Sequence, residues 1–167
     1  MEFKVINQEV SGFNKNVSLF IKREDLIHPY ISGNKYRKLK YNLEQAKAEN
    51  QDTLLTFGGA FSNHIVAVAA AGRANGFRTI GVIRGEELVS QVEENASLRF
   101  ARKHQMQLHF VDRTTFRNKA DETFLKKLNE LFGDFYLIPE GGTNDFAIKG
   151  CEEILTEEDK IAFDYVC

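Results

Sequence analysis

The sequence has little cysteine, no excess of charge of one sign and no long apolar run, and each absence excludes a class of protein. Its two cysteines, Cys151 and Cys167, are too few for a disulfide framework and lack metal-binding spacing, which fits a reducing compartment. The formal net charge of -2 gives no electrostatic case for a nucleic-acid or membrane partner. The N-terminus lacks the apolar run of a signal peptide, and no segment approaches the length of a membrane span. The composition therefore predicts a cytoplasmic globular protein without a metal site.

Strand-like and helix-like segments alternate along most of the chain. Strands are predicted at 3–6, 17–22, 53–57, 79–83, 106–111 and 135–138, with a polar loop over 7–16. Helices are predicted from Ser32, over 62–75, from a capping box at Ser90–Glu93, over 118–132 and over 144–155. Inward-facing residues of the third and fourth helices would be Val92, Ala96, Phe100, Phe124, Leu128 and Leu131. Such alternation predicts an α/β fold, with an open parallel sheet covered by helices on both faces in three layers.

The C-terminal residues Ile161–Cys167 are apolar enough to predict a further buried strand. A sheet of this kind rarely exposes a fresh strand without a partner. We therefore expect the chain to be a fragment of a longer protein.

The stretch Ser32–Leu43 begins as a turn and continues as a lysine-rich helix. Tyr36, Leu39, Leu43 and Ala46 recur at helical spacing and form one apolar stripe. Lys35 is four residues before Leu39, so its amine lies at the edge of the stripe in the first turn. Partial burial and the positive end of the helix dipole both disfavour the ammonium form, as a Schiff-base or general-base lysine requires. Taken alone, the stretch is more typical of a surface helix with solvated lysines, and only the motifs that follow favour the reactive lysine.

A second motif, Gly58–His64, follows a predicted strand and opens a helix. Ligands bind at this position in open α/β sheets, and the free N–H groups of a helix capped by Ser62 or Asn63 suit a carboxylate or phosphate. The spacing matches neither a dinucleotide fingerprint nor a P-loop, which disfavours a nucleotide-binding domain. Pro139–Asn144 repeats the strand–turn–helix arrangement and is expected to add backbone donors to the same crevice.

The three motifs together resemble those of a known family. Ser-Gly-Asn-Lys-x-Arg-Lys-Leu at 32–39, Gly-Gly-x-x-Ser-Asn-His at 58–64 and Ile-Pro-Glu-Gly-Gly-Thr-Asn at 138–144 are similar to pyridoxal-phosphate enzymes with the tryptophan-synthase β-like fold. Within them, the resemblance is to the 1-aminocyclopropane-1-carboxylate deaminase and D-cysteine desulfhydrase group. It implies pyridoxal 5′-phosphate as cofactor, a small amino acid as substrate, deaminase or lyase chemistry, and a homodimer at full length.

The resemblance also implies roles for individual residues. Lys35 corresponds to the lysine that holds the cofactor as a Schiff base, and Asn63, with Asn34, would bind the cofactor. Ser62 corresponds to a serine that acts as nucleophile or handles a proton at the substrate. The backbone of Ser62–His64 would bind the substrate carboxylate, with Lys38 assisting anion binding or proton transfer.

Two departures and an absence modify this expectation. Deaminases of the group usually have Gln where His64 stands, and often Gln where Phe61 stands, so the substrate is open and His64 favours a desulfhydrase-like member. The family's phosphate-binding glycine-rich loop and its partner for the pyridine nitrogen come after the segment that ends this chain. We therefore expect little or no turnover from these 167 residues alone.

The resemblance predicts a division of the chain into three parts. Residues 1–50 would belong to a large cofactor domain, 51–145 would form a small α/β domain, and 146–167 would return to the large domain. The alternative from another functional class is a non-catalytic α/β domain or a degenerate relative.

Overall fold

The computed structural model describes residues 5–14 and 16–167 as an α/β fold with a small additional hairpin. Its strands are β1 (Asn7–Asn14), β2 (Val17–Lys22), β3 (Thr53–Gly59), β4 (Arg78–Arg84), β5 (Gln107–Val111) and β6 (Tyr136–Ile138). Its helices are α1 (Asn34–Ala48), α2 (Asn63–Asn75), α3 (Ala96–Lys103), α4 (Arg113–Arg117), α5 (Glu122–Phe132), α6 (Asp145–Glu152) and α7 (Glu157–Ala162). Short 3-10 turns occupy Glu24–Leu26, Glu86–Gln91 and Glu140–Gly142.

Four parallel strands form the main sheet in the order β5-β4-β3-β6. The central strand β3 pairs with β4 from Thr53 opposite Arg78 and with β6 from Leu54 opposite Tyr136. Because successive side chains of a strand point to opposite faces, Leu54 packs with α1, α2 and α3, whereas Leu55 and Phe57 pack with α4 and α5. The predicted three-layer parallel fold is confirmed.

The predicted helix after β3 and the stripe of the first helix are both confirmed. α2 runs over Asn63–Asn75 with Ser62 as its N-cap, and its many buried alanines let it lie close to the sheet. In α1, Leu39 and Ala46 are fully buried, and Tyr36 and Leu43 pack against them at the edge of the same core cluster. Among the described residues, none of the helices combines the length and apolar character needed to cross a membrane.

The N-terminal hairpin corrects the prediction of a strand at 3–6 followed by a loop. β1 instead occupies Asn7–Asn14 and pairs antiparallel with β2, with Asn7 opposite Lys22. Val5 and Ile6 precede it without strand structure, and Phe3 lies outside the described residues. The hairpin is largely exposed, so no buried face imposes the apolar alternation from which a strand is recognised.

Two predicted helix starts were wrong. The Ser90–Glu93 capping box does not form, because Asn95 caps α3 by accepting a hydrogen bond from the Leu98 amide at 3.0 Å. The predicted helix over 118–132 begins only at Glu122, as α5 capped by Asp121, and the short helix α4 before it, capped by Asp112, was not predicted.

The inward-facing residues of these helices were predicted only in part. In α5, Leu128 is buried and Phe124 half-buried as predicted, but Leu131 is 59% exposed. Val92 is buried although it precedes α3.

The predicted C-terminal strand over 161–167 was also wrong. Ile161 lies in α7 and is 87% exposed, and the residues after α7 form no strand. The cause is a capping box in which Thr156 and Asp159 exchange side-chain and backbone hydrogen bonds, which starts a helix just before the apolar run.

Candidate functional site

Lys35 lies in the first turn of α1, and its amine faces the turn after β6. The chain enters the helix at Gly33, whose φ of 59° lies in the left-handed region. Lys35 Nζ donates a hydrogen bond to the Gly141 carbonyl at 3.2 Å. Burial lowers the pKa of this half-buried amine, the charge of Lys38 lowers it further, and Cys151 acts in the opposite direction. An amine held in this way is more often neutral than a solvated lysine, as the position of Lys35 in the sequence predicted.

Lys38, one turn further along α1, reaches the same turn. Its Nζ donates to Thr143 Oγ1 at 3.0 Å and to the Gly141 carbonyl at 3.4 Å. Two amines therefore share one carbonyl oxygen, which brings like charges close together and explains the effect of Lys38 on Lys35.

The Glu140–Gly142 turn had been expected to contribute backbone donors, and its role here is different. The Gly141 carbonyl of this turn accepts a hydrogen bond from Lys35 Nζ and another from Lys38 Nζ. Gly141 and Gly142 have φ values of 71° and 72°, a conformation that L side chains rarely adopt. The turn is closed by a hydrogen bond from the Gly142 amide to the Pro139 carbonyl at 2.8 Å.

The N-terminus of α2 follows the end of β3 on the same side of the sheet. Ser62 Oγ accepts a hydrogen bond from the Ile65 amide at 3.4 Å, so the hydroxyl proton of Ser62 can be donated elsewhere. Asn63 and His64 are the first two residues of the helix, and their amides have no partner within it. This helix end can therefore bind a carboxylate or phosphate.

The His64 side chain turns away from the helix end and into the core. The residue is 3% exposed, and its Nε2 lies 2.8 Å from Thr56 Oγ1, which in turn donates to the Ile138 carbonyl at 2.8 Å. Burial lowers the pKa of His64 to about 3, and the charges of Lys35 and Lys38 act in the same direction. The Pro139 carbonyl favours the charged ring and offsets only part of this effect. The ring is therefore neutral at physiological pH and cannot contact a ligand at the surface.

The structure brings some of the predicted site residues together and separates others. Asn34, Lys35 and Asn63 line one cleft of about 300 Å³, together with Pro29, Tyr30, Ser32 and Val66. Lys38 lines a neighbouring open cleft of about 460 Å³ with Thr143 and Cys151. Sequence reasoning missed Thr56, Thr143 and Cys151 as neighbours of the lysines and the histidine. Thr56 stands between Leu55 and Phe57 in the predicted strand 53–57, and this polar residue between two apolar ones was the available signal.

Comparisons with known proteins agree with the motif resemblance. A bifunctional D-cysteine desulfhydrase/1-aminocyclopropane-1-carboxylate deaminase from Arabidopsis thaliana is 28% identical over 87% of this chain and 38% of its own length. A candidate 1-aminocyclopropane-1-carboxylate deaminase from Pyrococcus abyssi is 30% identical over 87% of this chain and 44% of its own. The crystal structure of a 1-aminocyclopropane-1-carboxylate deaminase homologue superposes with a TM-score of 0.76 at 24% identity, covering 99% of this chain and 50% of that one. No family model matches the sequence.

The fold and the motifs are those of the pyridoxal-phosphate-dependent class with the tryptophan-synthase β-like fold. Within that class the chain is homologous, over most of its own length, to proteins named 1-aminocyclopropane-1-carboxylate deaminase or D-cysteine desulfhydrase. It spans less than half the length of the two curated relatives described above.

Proposed function

We propose that this chain carries the lysine-bearing part of a pyridoxal-phosphate-dependent deaminase or desulfhydrase that acts on a small amino acid. The observation that carries the proposal is the Lys35 amine, which is half-buried, has a lowered pKa and lines a cleft with Asn34 and Asn63. A lysine that is neutral more often than usual is suited to covalent attachment of the cofactor aldehyde.

The residues present fit this cofactor. The amide side chains of Asn34 and Asn63 can bind the polar substituents of its ring from two sides of the cleft. When bound, pyridoxal phosphate draws electrons from the substrate's α-carbon, and the protein fixes which bond breaks.

The N-terminus of α2 is proposed to bind the substrate. The backbone amides of Asn63 and His64 would hold the carboxylate at the positive end of the helix. The Ser62 hydroxyl keeps a donatable proton next to that position, which supports a role in proton handling or nucleophilic attack. Lys38 supplies a second positive charge one turn along α1 and would assist anion binding or proton transfer.

A labelling experiment tests the proposal. The chain is incubated with pyridoxal phosphate at neutral pH, reduced with borohydride, digested and mapped. Label is expected on Lys35 in preference to the exposed Lys126 of α5, because a lowered pKa leaves more neutral amine. The K35A variant should lose most of the bound cofactor and K126A should lose none. Equal labelling of both lysines, or unchanged incorporation in K35A, would overturn the assignment.

We further propose that the 167 residues alone have little turnover, because they span less than half of their curated relatives. Ammonia release from 1-aminocyclopropane-1-carboxylate and sulfide release from D-cysteine are the measurements. Sustained turnover by the isolated chain would contradict this proposal. The homodimer, the cytoplasmic location and the division at residues 50 and 145 stay predictions.

A further inference from the structure

The buried His64 side chain links two strands of the sheet to the turn that receives Lys35. We propose that it is a positioning residue for Lys35: the neutral ring, anchored to Thr56, supports the Glu140–Gly142 turn and so fixes the carbonyl that accepts the Lys35 amine. This inference rests on the function proposed above, in which Lys35 carries the cofactor. It assigns the side chain a role separate from that of the His64 backbone amide.

Thr56 joins the ring to two strands of the sheet. Its hydroxyl donates to the Ile138 carbonyl at 2.8 Å. The same Thr56 Oγ1 lies 2.8 Å from His64 Nε2, within hydrogen-bonding distance of the ring. Through this chain of bonds the ring is tied at once to β3 and to the carboxyl end of β6.

The other side of the ring supports the turn. A Cβ atom added to Gly142 would lie 3.2 Å from His64 Cε1, 3.6 Å from His64 Nδ1 and 3.6 Å from Lys38 Cβ. The turn backbone therefore rests between the imidazole ring and the stem of Lys38. Gly141, the preceding residue, presents the carbonyl to both lysine amines.

The second nitrogen of the ring argues against a purely stabilising role. His64 Nδ1 is buried and forms no hydrogen bond of normal geometry among the described residues, although the Pro139 carbonyl acts on the ring. A buried polar nitrogen without a well-formed hydrogen bond costs about 1–3 kcal/mol, so an apolar side chain of similar size would serve packing alone at least as well. A residue kept only for packing should thus be replaceable by Leu without consequence for Lys35.

The charges around the Lys35 amine set the conditions of the test. Lys38 on α1 and Cys151 on α6 act on the Lys35 amine, and the charges of Lys35 and Lys38 act in turn on His64 of α2. A ring that became charged would repel both lysines, so the arrangement requires it to be neutral. If the turn loosens, the Lys35 amine gains solvent and its ammonium form is favoured.

Competitive acylation of the full chain with limiting acetic anhydride, followed by peptide mapping, reports the reactivity of each lysine without any cofactor. Lys35 is measured relative to Lys126 across pH 6–10 in T56V, T56S, H64L and H64Q. T56V keeps the side-chain shape and removes the hydroxyl, whereas T56S keeps the hydroxyl. H64Q keeps a donor for Thr56, whereas H64L does not. Relative labelling of Lys35 at pH 7 should fall about threefold or more in T56V and H64L, and its pH profile should move to higher pH. T56S and H64Q should resemble the parent chain.

Unchanged Lys35 labelling in folded T56V overturns the inference, as does an equal loss in T56S and T56V. If H64L does not fold, the T56V and T56S pair still decides. The proposed function is tested separately by cofactor labelling. Failure of pyridoxal phosphate to label Lys35 refutes that proposal even where acylation responds to T56V. Labelling of Lys35 with no response to T56V refutes only the role of His64.

Discussion

Asn42, a fully buried residue in the middle of α1, connects the candidate site to the scaffold. Its Nδ2 donates to the Lys38 carbonyl at 2.7 Å. Its Oδ1 accepts from Tyr136 Oη at 3.1 Å and from Asn144 Nδ2 at 2.8 Å. Because Asn144 also caps α6, the Asn42 side chain joins α1, β6 and α6 around the Glu140–Gly142 turn.

Replacing Asn42 by Leu should therefore destabilise the protein by about 2–4 kcal/mol, because two buried polar groups lose their partner at once. The Y136F variant, which removes a single hydrogen bond without leaving a charge or a cavity, should lose about 1 kcal/mol. Urea unfolding of the two variants and the parent measures both values. Equal losses in N42L and Y136F would contradict the idea that Asn42 is the common partner.

Single residues could be predicted from sequence where their environment is local. The edge position of Lys35 and the cap at Ser62 depend only on helical spacing and neighbouring residues, and the structure agrees with both. The partner of His64 and, apart from the Lys38 carbonyl, the partners of Asn42 lie outside the helix that carries each residue, so helical spacing does not pair them. Thr56 is eight residues before His64, whereas the Ile138 carbonyl reaches Thr56 only when β6 pairs with β3.

At the scale of elements, α6 packs on α1 at a distance that only glycine allows. A Cβ atom added to Gly150 would lie 2.0 Å from the Arg37 carbonyl oxygen and 2.8 Å from its carbon. Both contacts are with backbone, so relief requires the two helices to move apart rather than a side chain to rotate.

The G150A variant should for this reason lose about 1–3 kcal/mol of unfolding free energy, the usual cost of overpacking. Because Arg37 lies between Lys35 and Lys38, the displacement should also alter the acylation ratio of those two lysines. The exposed Ile148 on the same helix provides the control, and I148A should stay within about 0.5 kcal/mol of the parent. Thermal unfolding measures the stability of both variants. A G150A variant as stable as I148A would contradict the close approach of α6 to α1 at Gly150.

Asp159 joins the N-terminal hairpin to α7. It accepts hydrogen bonds from Lys22 Nζ at 2.5 Å and Asn7 Nδ2 at 2.6 Å, and it also completes the capping box with Thr156. Phe20 and Phe163 add a ring contact between the same two parts, with centroids 5.1 Å apart. The hydrogen bond from Lys22 is the main reason that the pKa of Asp159 lies well below its usual range.

The D159N variant should release the hairpin, because an amide cannot accept from all of these donors. We expect a loss of about 2–3 kcal/mol and faster amide exchange in β1 and β2, with little change in β3 and β4. The matched control is E157Q on the same helix, since Glu157 forms an exposed ion pair with Lys160. Exchange that accelerates equally in the hairpin and in the central sheet would argue against a local connection.

Element boundaries were the least predictable feature, for an identifiable reason. Around α3 the prediction relied on Ser90, whereas the helix is capped by Asn95, a second residue type suited to an N-cap, and Leu98 and Ala101 are buried in the core. At the C-terminus the capping signal of Thr156 and Asp159 outweighs the β-propensity of the apolar run that follows. A choice between two legitimate local signals is made by packing, which the local sequence does not contain.

At the scale of the whole molecule, the parallel sheet brings distant motifs to one edge. β3 and β6 are neighbours and parallel, so Gly58–His64 and Pro139–Asn144 leave the sheet on the same side, where α1 adds Lys35. The parallel direction of the strands, though not their order in the sheet, followed from the alternation of strands and helices, which explains why the fold class could be predicted although several boundaries could not.

The buried neutral histidine also gives the whole molecule a distinctive pH dependence. The pKa of His64 is lowered from 6.5 to about 3 in the folded chain, so between these values the unfolded chain binds a proton that the folded chain does not. The free energy of unfolding should therefore be highest above pH 6.5 and should fall with decreasing pH by up to about 1.4 kcal/mol per unit from this group. Carboxylates with lowered pKa values contribute mainly below about pH 4.5, so the slope between pH 6 and 4.5 isolates the histidines.

H64Q should flatten this slope, since Gln keeps a donor for Thr56 but takes up no proton. Urea unfolding at intervals from pH 4.5 to 7.5 measures the slope in both chains. The half-buried His109, whose pKa burial also lowers, acts in the same direction, and H109Q removes its share. If H64Q retains the parent slope while H109Q abolishes it, the neutral buried state of His64 is wrong. In that case the Glu140–Gly142 turn would not need an uncharged ring to support it.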